Sequence, residues 1–388
     1  MQLRYNNYHK HSHYSNIKSI MTKGNVTIVK PEAYMKRAVD LGHTTYCTLE
    51  TGFQGNVFEA LTQCEQYGLQ CIVGAEVSVL IDDTAVNIIL IARNNRGRKL
   101  INKLLSKANL NDAKVIATKD MITEEMYDDC FFIISSHQEQ LLDWYKLFGN
   151  RNVMLEITCN RLSNDQRRVN QWQIKVANEH GLKLIHGNCS YFIDESDKQY
   201  CNMFADAKNC ERFQKEDLLD YPDSDKIIQR YGIIGVSEEV TEQALTNTLL
   251  LDECEPCDIN KEYKIPKIVE GDSVLELKKI VAKAWTEKKK TIPVEDHKRY
   301  EDAIKYEMKI IEDCGMADYF ILDHYIVKKA VNEYHGILTR SGRGSAVSFL
   351  INHLLGLTEV DRMKSPITLY PTRFMSAERI LLSKSLPD

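Results

Sequence analysis

The stretch "NYHKHSHYSN", residues 7–16, sets three histidines at alternate positions. Successive side chains of a strand point to opposite sides, so an extended reading gives His9, His11 and His13 one shared face. Such a face is either a metal-ligating cluster or a solvated edge, and the downstream residues decide which. Up to about Ala207, short β-branched or aromatic runs alternate with amphipathic helical stretches. "TTYCTLE", "QCIVGAEVSVLI", "AVNIILIARN", "CFFIISS", "NVMLEITC" and "LKLIHGNCSYFI" read as strands, each short, apolar and bounded by turn or charged residues. Between them, stretches such as "NVFEALTQCEQYG" and "NDQRRVNQWQIKVANEHG" carry apolar residues at helical spacing and end at a glycine suited to a C-cap. This alternation predicts a parallel β/α architecture, open or closed into a barrel.

Ligand-type residues fall at the ends of these strands. Glu50 ends "TTYCTLE", Glu76 sits inside "QCIVGAEVSVLI", His137 follows "CFFIISS", Cys159 ends "NVMLEITC", and His186 and Cys189 follow "LKLI". In β/α barrels, strand C-termini gather on one face, where active sites are built. That co-location says more than any single histidine, and it favours a metal-site origin for the histidine run.

Length and composition bound the alternatives. At 388 residues and 43% hydrophobic content the chain supplies core for two or three domains. The formal charge of −5 excludes binding to nucleic acid through bulk positive charge, though not through a local basic groove. Eleven cysteines, an odd number scattered without a framework, suit reduced thiols, and neither a secretory signal nor an apolar run of membrane-spanning length is found. These features place the protein in the cytoplasm, with no membrane partner. The pair Cys254 and Cys257 has zinc-like spacing but lacks a second pair, so packing thiols are expected there. The lysines of "EKKK", residues 287–290, read as a solvated face.

From about Lys208 the chain turns charged and helical, and "YKIPKIVEGDS" marks a boundary near Tyr263. Two domains are expected, residues 1–262 and 263–388, the second mostly helical. Within it, "GILTRSGRGSAVSFLINHLLG" reads as a strand end, a glycine-rich turn and a helix. Gly342 and Gly344 allow close backbone approach, Ser345 offers a hydroxyl, Arg340 and Arg343 add cations, and the helix after the turn presents N–H groups suited to phosphate. It is not a Walker A loop, because the Gly-Lys-Ser/Thr ending is missing. An ordinary structural turn is the alternative reading.

The surroundings of that turn resemble a known family. Residues from "EMKIIEDCGMADYFILDHY" through "TRSGRGSAVSFLINHLLG", and the tail "LYPTRFMSAERILLSKSLPD", are similar to the start of the palm in C-family DNA polymerases, the alpha subunits of bacterial DNA polymerase III. The resemblance covers about the last eighty residues, with Ser341 in place of the family's usual proline. It implies that Arg340, Gly342, Arg343, Gly344 and Ser345 hold the phosphates of an incoming dNTP. It also implies that aspartates from Asp388 onward, if the chain continues, bind Mg²⁺. Primer-template DNA and the C-terminal remainder of the polymerase are the implied partners.

In that family the palm is preceded by a PHP domain, a distorted β/α barrel whose strand ends hold a phosphoesterase metal site. "YHKHSHYS", "TLETGFQGN", "IVGAEV" and "IISSH" resemble its motifs, which implies metal-ligand roles for His9, His11, Glu50, Glu76 and His137, with Zn²⁺ or Mn²⁺ as candidate ions. Two positions where the family places histidine read Thr51 and Tyr191, and Cys189 stands at an acidic position. A thiol is a soft replacement for a bridging carboxylate, so the expected site is degenerate. It holds at most one ion, on His9, His11 and Glu76 with His137, Glu50 or Cys189 as further candidates. The expected function is DNA replication, as the N-terminal portion of a family C polymerase without its complete aspartate set. The alternatives are a metal-dependent PHP phosphoesterase or 3′–5′ exonuclease, and a non-catalytic scaffold that binds the remaining polymerase fragment.

Overall fold

Period-two alternation along the strands of the first domain sorts its apolar residues into two cores. The computed structural model describes residues 3–81, 84–111, 116–135, 152–260, 265–338, 344–378 and 380. They form two compact units, Met1–Asn260 and Lys261–Asp388. In the first, strands β1 (Thr45–Thr51), β2 (Gln70–Ile81), β3 (Thr84–Ala92), β4 (Ile116–Thr118), β5 (Cys130–Ile134), β6 (Val153–Thr158) and β7 (Lys183–Gly187) build one curled sheet. Its order is β1-β2-β3-β5-β6-β7, with β4 paired to the far half of β2. Cys47, Leu49, Ile72, Ile89, Ile91, Ile133, Met154 and Ile185 point inward and pack on Tyr8. Their alternate neighbours, among them Tyr46, Val73, Ile88, Leu90, Phe132, Leu155 and Leu184, point outward into the helix layer.

Helices α1 (Asn16–Thr22), α2 (Pro31–Asp40), α3 (Val57–Tyr67), α4 (Asn95–Asn111), α5 (Glu125–Asp129), α6 (Asn164–His180), α7 (Lys198–Lys208), α8 (Ser224–Ile233) and α9 (Glu238–Asn247) belong to this unit. β1, α3 and β2 form a parallel crossover unit, as do β6, α6 and β7. The expected parallel order fails at β3, which runs antiparallel to both β2 and β5. Only positions 82 and 83 separate β2 from β3, and a connection that short permits a hairpin but not a crossover.

The histidine stretch is not a strand. It makes a single parallel bridge, Lys10 with Ser190, then winds into a 3-10 turn at His13–Ser15. His11 N–H donates to Ser190 O at 2.8 Å and Ser190 N–H donates to His9 O at 3.0 Å. The Lys10 ammonium, buried over the Tyr46 ring, donates to Cys47 O of β1 at 2.8 Å. Residues 7–12 therefore connect the chain after β7 to β1, opposite edges of the curled sheet. Cys254 and Cys257 are packing thiols, one in each core layer.

In the second unit, helices α10 (Ser273–Lys289), α11 (His297–Asp313), α12 (Ala317–Tyr334) and α13 (Leu350–Leu354) enclose Leu277, Ile311, Phe320, Phe349 and Phe374. Asp272 caps α10, accepting from Val274 N–H at 2.9 Å. Of the lysines at 288–290, Lys290 is exposed and pairs with Glu287, whereas Lys288 and Lys289 are half-buried and pair with Asp361 and Glu301, so the stretch is only partly the solvated face expected. Arg362 donates through Nη2 to the fully buried Glu307 at 2.6 Å. Removing one partner of a buried pair leaves an uncompensated charge. Arg362→Ala should therefore destabilise this unit by about 3–5 kcal/mol, measured by urea unfolding followed through Trp285 fluorescence.

His43 gives the first unit an acid-sensitive point. It packs edge-on to Tyr5 with ring centroids 4.7 Å apart, and its Nδ1 meets the Tyr221 hydroxyl at 3.0 Å. Burial, with Lys10, Arg4 and Arg37 adding repulsion, lowers its pKa to about 3. Between that value and the ordinary histidine pKa of about 6.5, the unfolded chain binds a proton that the folded chain refuses. The neutral imidazole's contribution is complete above pH ~6.5 and is lost as pH falls toward the folded value. At pH ~5 the loss amounts to ~2 kcal/mol, so His43→Gln should flatten the fall in unfolding free energy between pH ~7.5 and ~5.

Candidate metal centre and glycine-serine turn

The candidate centre starts from a carboxylate inside the barrel. Glu156 shares a face of β6 with Met154, and its carboxylate is buried. It accepts from the Tyr8 hydroxyl at 2.6 Å and from His9 Nδ1–H at 2.8 Å. A Cβ on Gly187 of β7 would lie 1.8 Å from Glu156 Oε1, so the glycine leaves the space that the carboxylate fills. With Nδ1 fixed, His9 Nε2 is left buried, with no oxygen or nitrogen partner, facing the Cys189 sulfur.

His11 is fixed in the same sense by other groups. Its Nδ1 lies 3.3 Å from both Ser15 Oγ and Thr51 Oγ1. Those hydroxyls give their protons to Glu50 and Glu76, so their oxygens accept from the imidazole and leave Nε2 as the free end. His11 Nε2 lies 3.9 Å from Glu76 Oε2. Cys189 completes the group from the turn after β7, and one ligand atom each from His9, His11 and Cys189 falls within 4.8 Å of the others. Its φ of 46° is left-handed, a conformation that costs a residue with a Cβ about 1 kcal/mol or more.

The electrostatics follow from burial and mutual contact. Burial alone would push the Cys189 thiol up, but the imidazoles of His9 and His11 bring it down to about 7. Burial presses both histidines downward, and Glu156 with Cys189 for His9, and Cys189 with Glu76 for His11, overcome it and hold them above the ordinary range. Glu76 is raised by burial yet ends below the usual carboxylate range, because His11, His9 and the Thr51 hydroxyl favour its ionised form.

Glu50 stands outside this group. In β1 it has the opposite parity to Leu49 and Thr51, so it turns away from the barrel interior. Its carboxylate accepts from Ser12, Ser15 and Asn56, the last at 2.7 Å. It reaches His11 only through Ser15. The Tyr191 ring packs on His11 with centroids 4.7 Å apart. His13 lies in the 3-10 turn against Tyr14, and His186 faces the Tyr231 hydroxyl at 2.8 Å. His137 lies outside the described residues.

The glycine-serine turn is only partly described, since Arg340, Gly342, Arg343 and Asp388 lie outside the described residues. Gly344 has φ 71° and nothing within 4 Å of where a Cβ would stand. Ser345 is buried with its hydroxyl unpartnered. The helix expected after the turn is broken into a 3-10 turn, Ala346–Ser348, and the short α13. Nor are the first N–H groups of α13 all free, because Ile351 N–H donates to Glu307 Oε2 at 2.9 Å. Along α12, Phe320 is buried, Tyr319 is half-buried and Tyr325 is exposed.

Residues 7–160 match the PHP domain, and residues 277–388 match the bacterial DNA polymerase III alpha NTPase domain. The chain is a relative of the bacterial DNA polymerase III alpha subunit. It is 25% identical over 337 residues to the DNA polymerase III subunit alpha of Aquifex aeolicus, covering 78% of this chain and 28% of that one. To the Bacillus subtilis subunit alpha it is 21% identical over 380 residues, covering 92% of this chain and 32% of that one. The chain thus spans about a third of the length of these relatives. Among solved structures, it is similar at 14% identity and a TM-score of 0.32 to a two-domain protein from Bacteroides vulgatus named as containing a predicted PHP-like metal-dependent phosphoesterase, over 53% of this chain and 55% of that one.

In the first unit the donors present fit one ion. Two imidazoles with their outer nitrogens already bound, a thiol of low pKa and a nearby carboxylate are a donor set that could hold a metal ion. Glu156 was not legible as a participant, although an acidic residue at the inward parity of the apolar run "VMLEIT" is the signal that marks it. Gly187→Ala should force the Glu156 carboxylate out of its place and cost about 3 kcal/mol, and adding Glu156→Ala should recover part of that loss in urea unfolding.

Proposed function

We propose that this chain supplies the PHP barrel and the opening part of the palm to a family C DNA polymerase acting in DNA replication. The observation that carries the reading is the match of residues 277–388, which includes the left-handed Gly344 and the buried, unpartnered Ser345 hydroxyl. In this reading Gly342, Gly344 and Ser345 bring backbone and hydroxyl to the triphosphate of a dNTP, and Arg340 and Arg343 add charge. Mg²⁺ bound by acidic residues of the intact polymerase, Asp388 among them, supplies the clamp on the attacking and leaving oxygens. Primer-template DNA and a polypeptide carrying the rest of the polymerase fold complete the working enzyme. Its place of action is the cytoplasm. Among the described residues no helix is long and apolar enough to cross a membrane.

The test is reconstitution. Mixed with a polypeptide bearing the fingers and the remaining acidic residues, the chain should associate and restore dNTP incorporation that neither part performs alone. Ser345→Ala should lower kcat/KM for dNTP about tenfold, the equivalent of ~1.4 kcal/mol of lost hydrogen bonding. Failure to associate, or incorporation indifferent to Ser345, would count against the reading.

A second reading, a metal-dependent phosphoesterase or 3′–5′ exonuclease, draws on the His9, His11 and Cys189 group. It requires metal-dependent cleavage that His9→Ala abolishes, measured on single-stranded and duplex DNA.

A further inference from the structure

We infer that the exposed face of α4 and the cleft beside it form a docking site for an extended polypeptide segment of a partner protein, one in which acidic and apolar residues alternate. The inference concerns the outer surface of the first unit and does not depend on the polymerase reading.

Charge sets α4 apart. It carries Arg96, Arg98, Lys99, Lys103 and Lys107 and no acidic side chain, in a chain whose formal charge is −5. Other helices pair an exposed lysine with an acid one turn on: Lys175 with Glu179 in α6, Lys309 with Asp313 in α11 and Lys329 with Glu333 in α12. Of the cations on α4, only Arg96 has an ion-pair partner among the described residues, Asp129 at 3.2 Å. Lys99, Lys103 and Lys107 are exposed and stand four residues apart, so they follow one side of the helix at intervals of about 6 Å.

The cleft runs along the neighbouring stripe of the helix. Arg98, Asn102, Ser106 and Asn109 line it from α4, and Gln54 and Phe58 line it from the turn after β1 and the start of α3. Its volume is about 570 Å³, within the range of about 300–1,000 Å³ of clefts that hold ligands. Unused polar groups remain in its walls. Asn109 donates its amide N–H to Leu105 O at 2.8 Å and keeps its carbonyl oxygen, and Gln54 Nε2 has no hydrogen-bond partner. Side-chain amides offer both donor and acceptor, which suits the N–H and C=O groups of a peptide backbone. Phe58 is 57% exposed at the cleft and Leu110, at the end of α4, is 87% exposed, so an occupant's apolar side chains find apolar surface there.

Spacing selects the form of the occupant. In an extended chain, alternate side chains share a face and recur at about 6.6–6.8 Å, close to the interval between the lysines. With the backbone laid along the edge between the two stripes, acidic residues at alternate positions meet Lys99, Lys103 and Lys107. The residues between them then turn toward the cleft and Phe58. A single strand of nucleic acid fits this surface less well. Such strands stack successive bases on successive rings, whereas the cleft offers one exposed ring, Phe58, with Phe53 packed on the core.

The test uses the full chain and a short fluorescein-labelled peptide that alternates glutamate with leucine, followed by fluorescence anisotropy. Saturable binding is expected, weaker at high salt. A peptide of the same composition, with its glutamates and leucines in separate blocks, should bind less tightly. Lys99→Glu, Lys103→Glu and Lys107→Glu together should weaken binding by more than about tenfold, and Phe58→Ala by about fivefold. Lys283→Glu, at an exposed lysine of α10, should leave it unchanged. All these exchanges are at exposed positions, and an unchanged Tm shows that each variant is folded. No saturable binding, equal binding of the block peptide, or an affinity indifferent to the α4 lysines would overturn the inference. Tighter binding of oligothymidylate that the same lysine exchanges abolish would also overturn it, and would reassign the surface to a nucleic-acid strand.

Discussion

The barrel is organised around one buried carboxylate. Glu156 occupies the volume that any side chain at Gly187 would take, and it accepts hydrogen bonds from the neighbouring Tyr8 and His9 of the N-terminal segment. A carboxylate so deep depends on the hydrogen bonds that its oxygens accept. The N-terminal segment supplies two of them, both to Oε1, while Oε2 is buried without a partner. The bond from Nδ1–H sets the direction of the His9 ring.

The same economy of donors explains why conspicuous polar residues take supporting positions. Glu50 and Thr51 are neighbours in β1, and strand parity sends them to opposite faces. Thr51 turns inward to touch His11 and Glu76, while Glu50 turns outward and gathers two serines and an asparagine. The hydroxyls of Ser15 and Thr51 pass the preference of two carboxylates on to a single imidazole. Hydrogen-bond direction, rather than proximity, therefore decides which nitrogen of His11 is left for a ligand.

In the second unit, a different buried carboxylate does comparable work. Glu307 of α11 takes the Arg362 guanidinium and the Ile351 N–H, which ties three stretches of chain together where Phe349 enters the core. Burial raises the pKa of that carboxyl, and the guanidinium and backbone donors oppose the rise. The cost falls on the glycine-serine turn: N–H groups that a bare helix end would offer to an anion are partly used within the fold.

Much was legible in the sequence because it rests on local physics. Alternating apolar runs and helical periods gave the strands and helices, and the histidine-serine and glycine-serine motifs carried the family likeness. Strand direction was not legible at β3, because periodicity along a strand says nothing about its neighbour's direction. The partnership of Glu156 with His9 was hidden by 147 residues of separation, and the sequestering of Glu50 depended on where Ser12, Ser15 and Asn56 came to rest. Sequence by itself determined which residues could ligate, since that is a property of side-chain chemistry. Tertiary structure alone decided which of them face one another, since that depends on parity, register and the competition of buried donors for each acceptor.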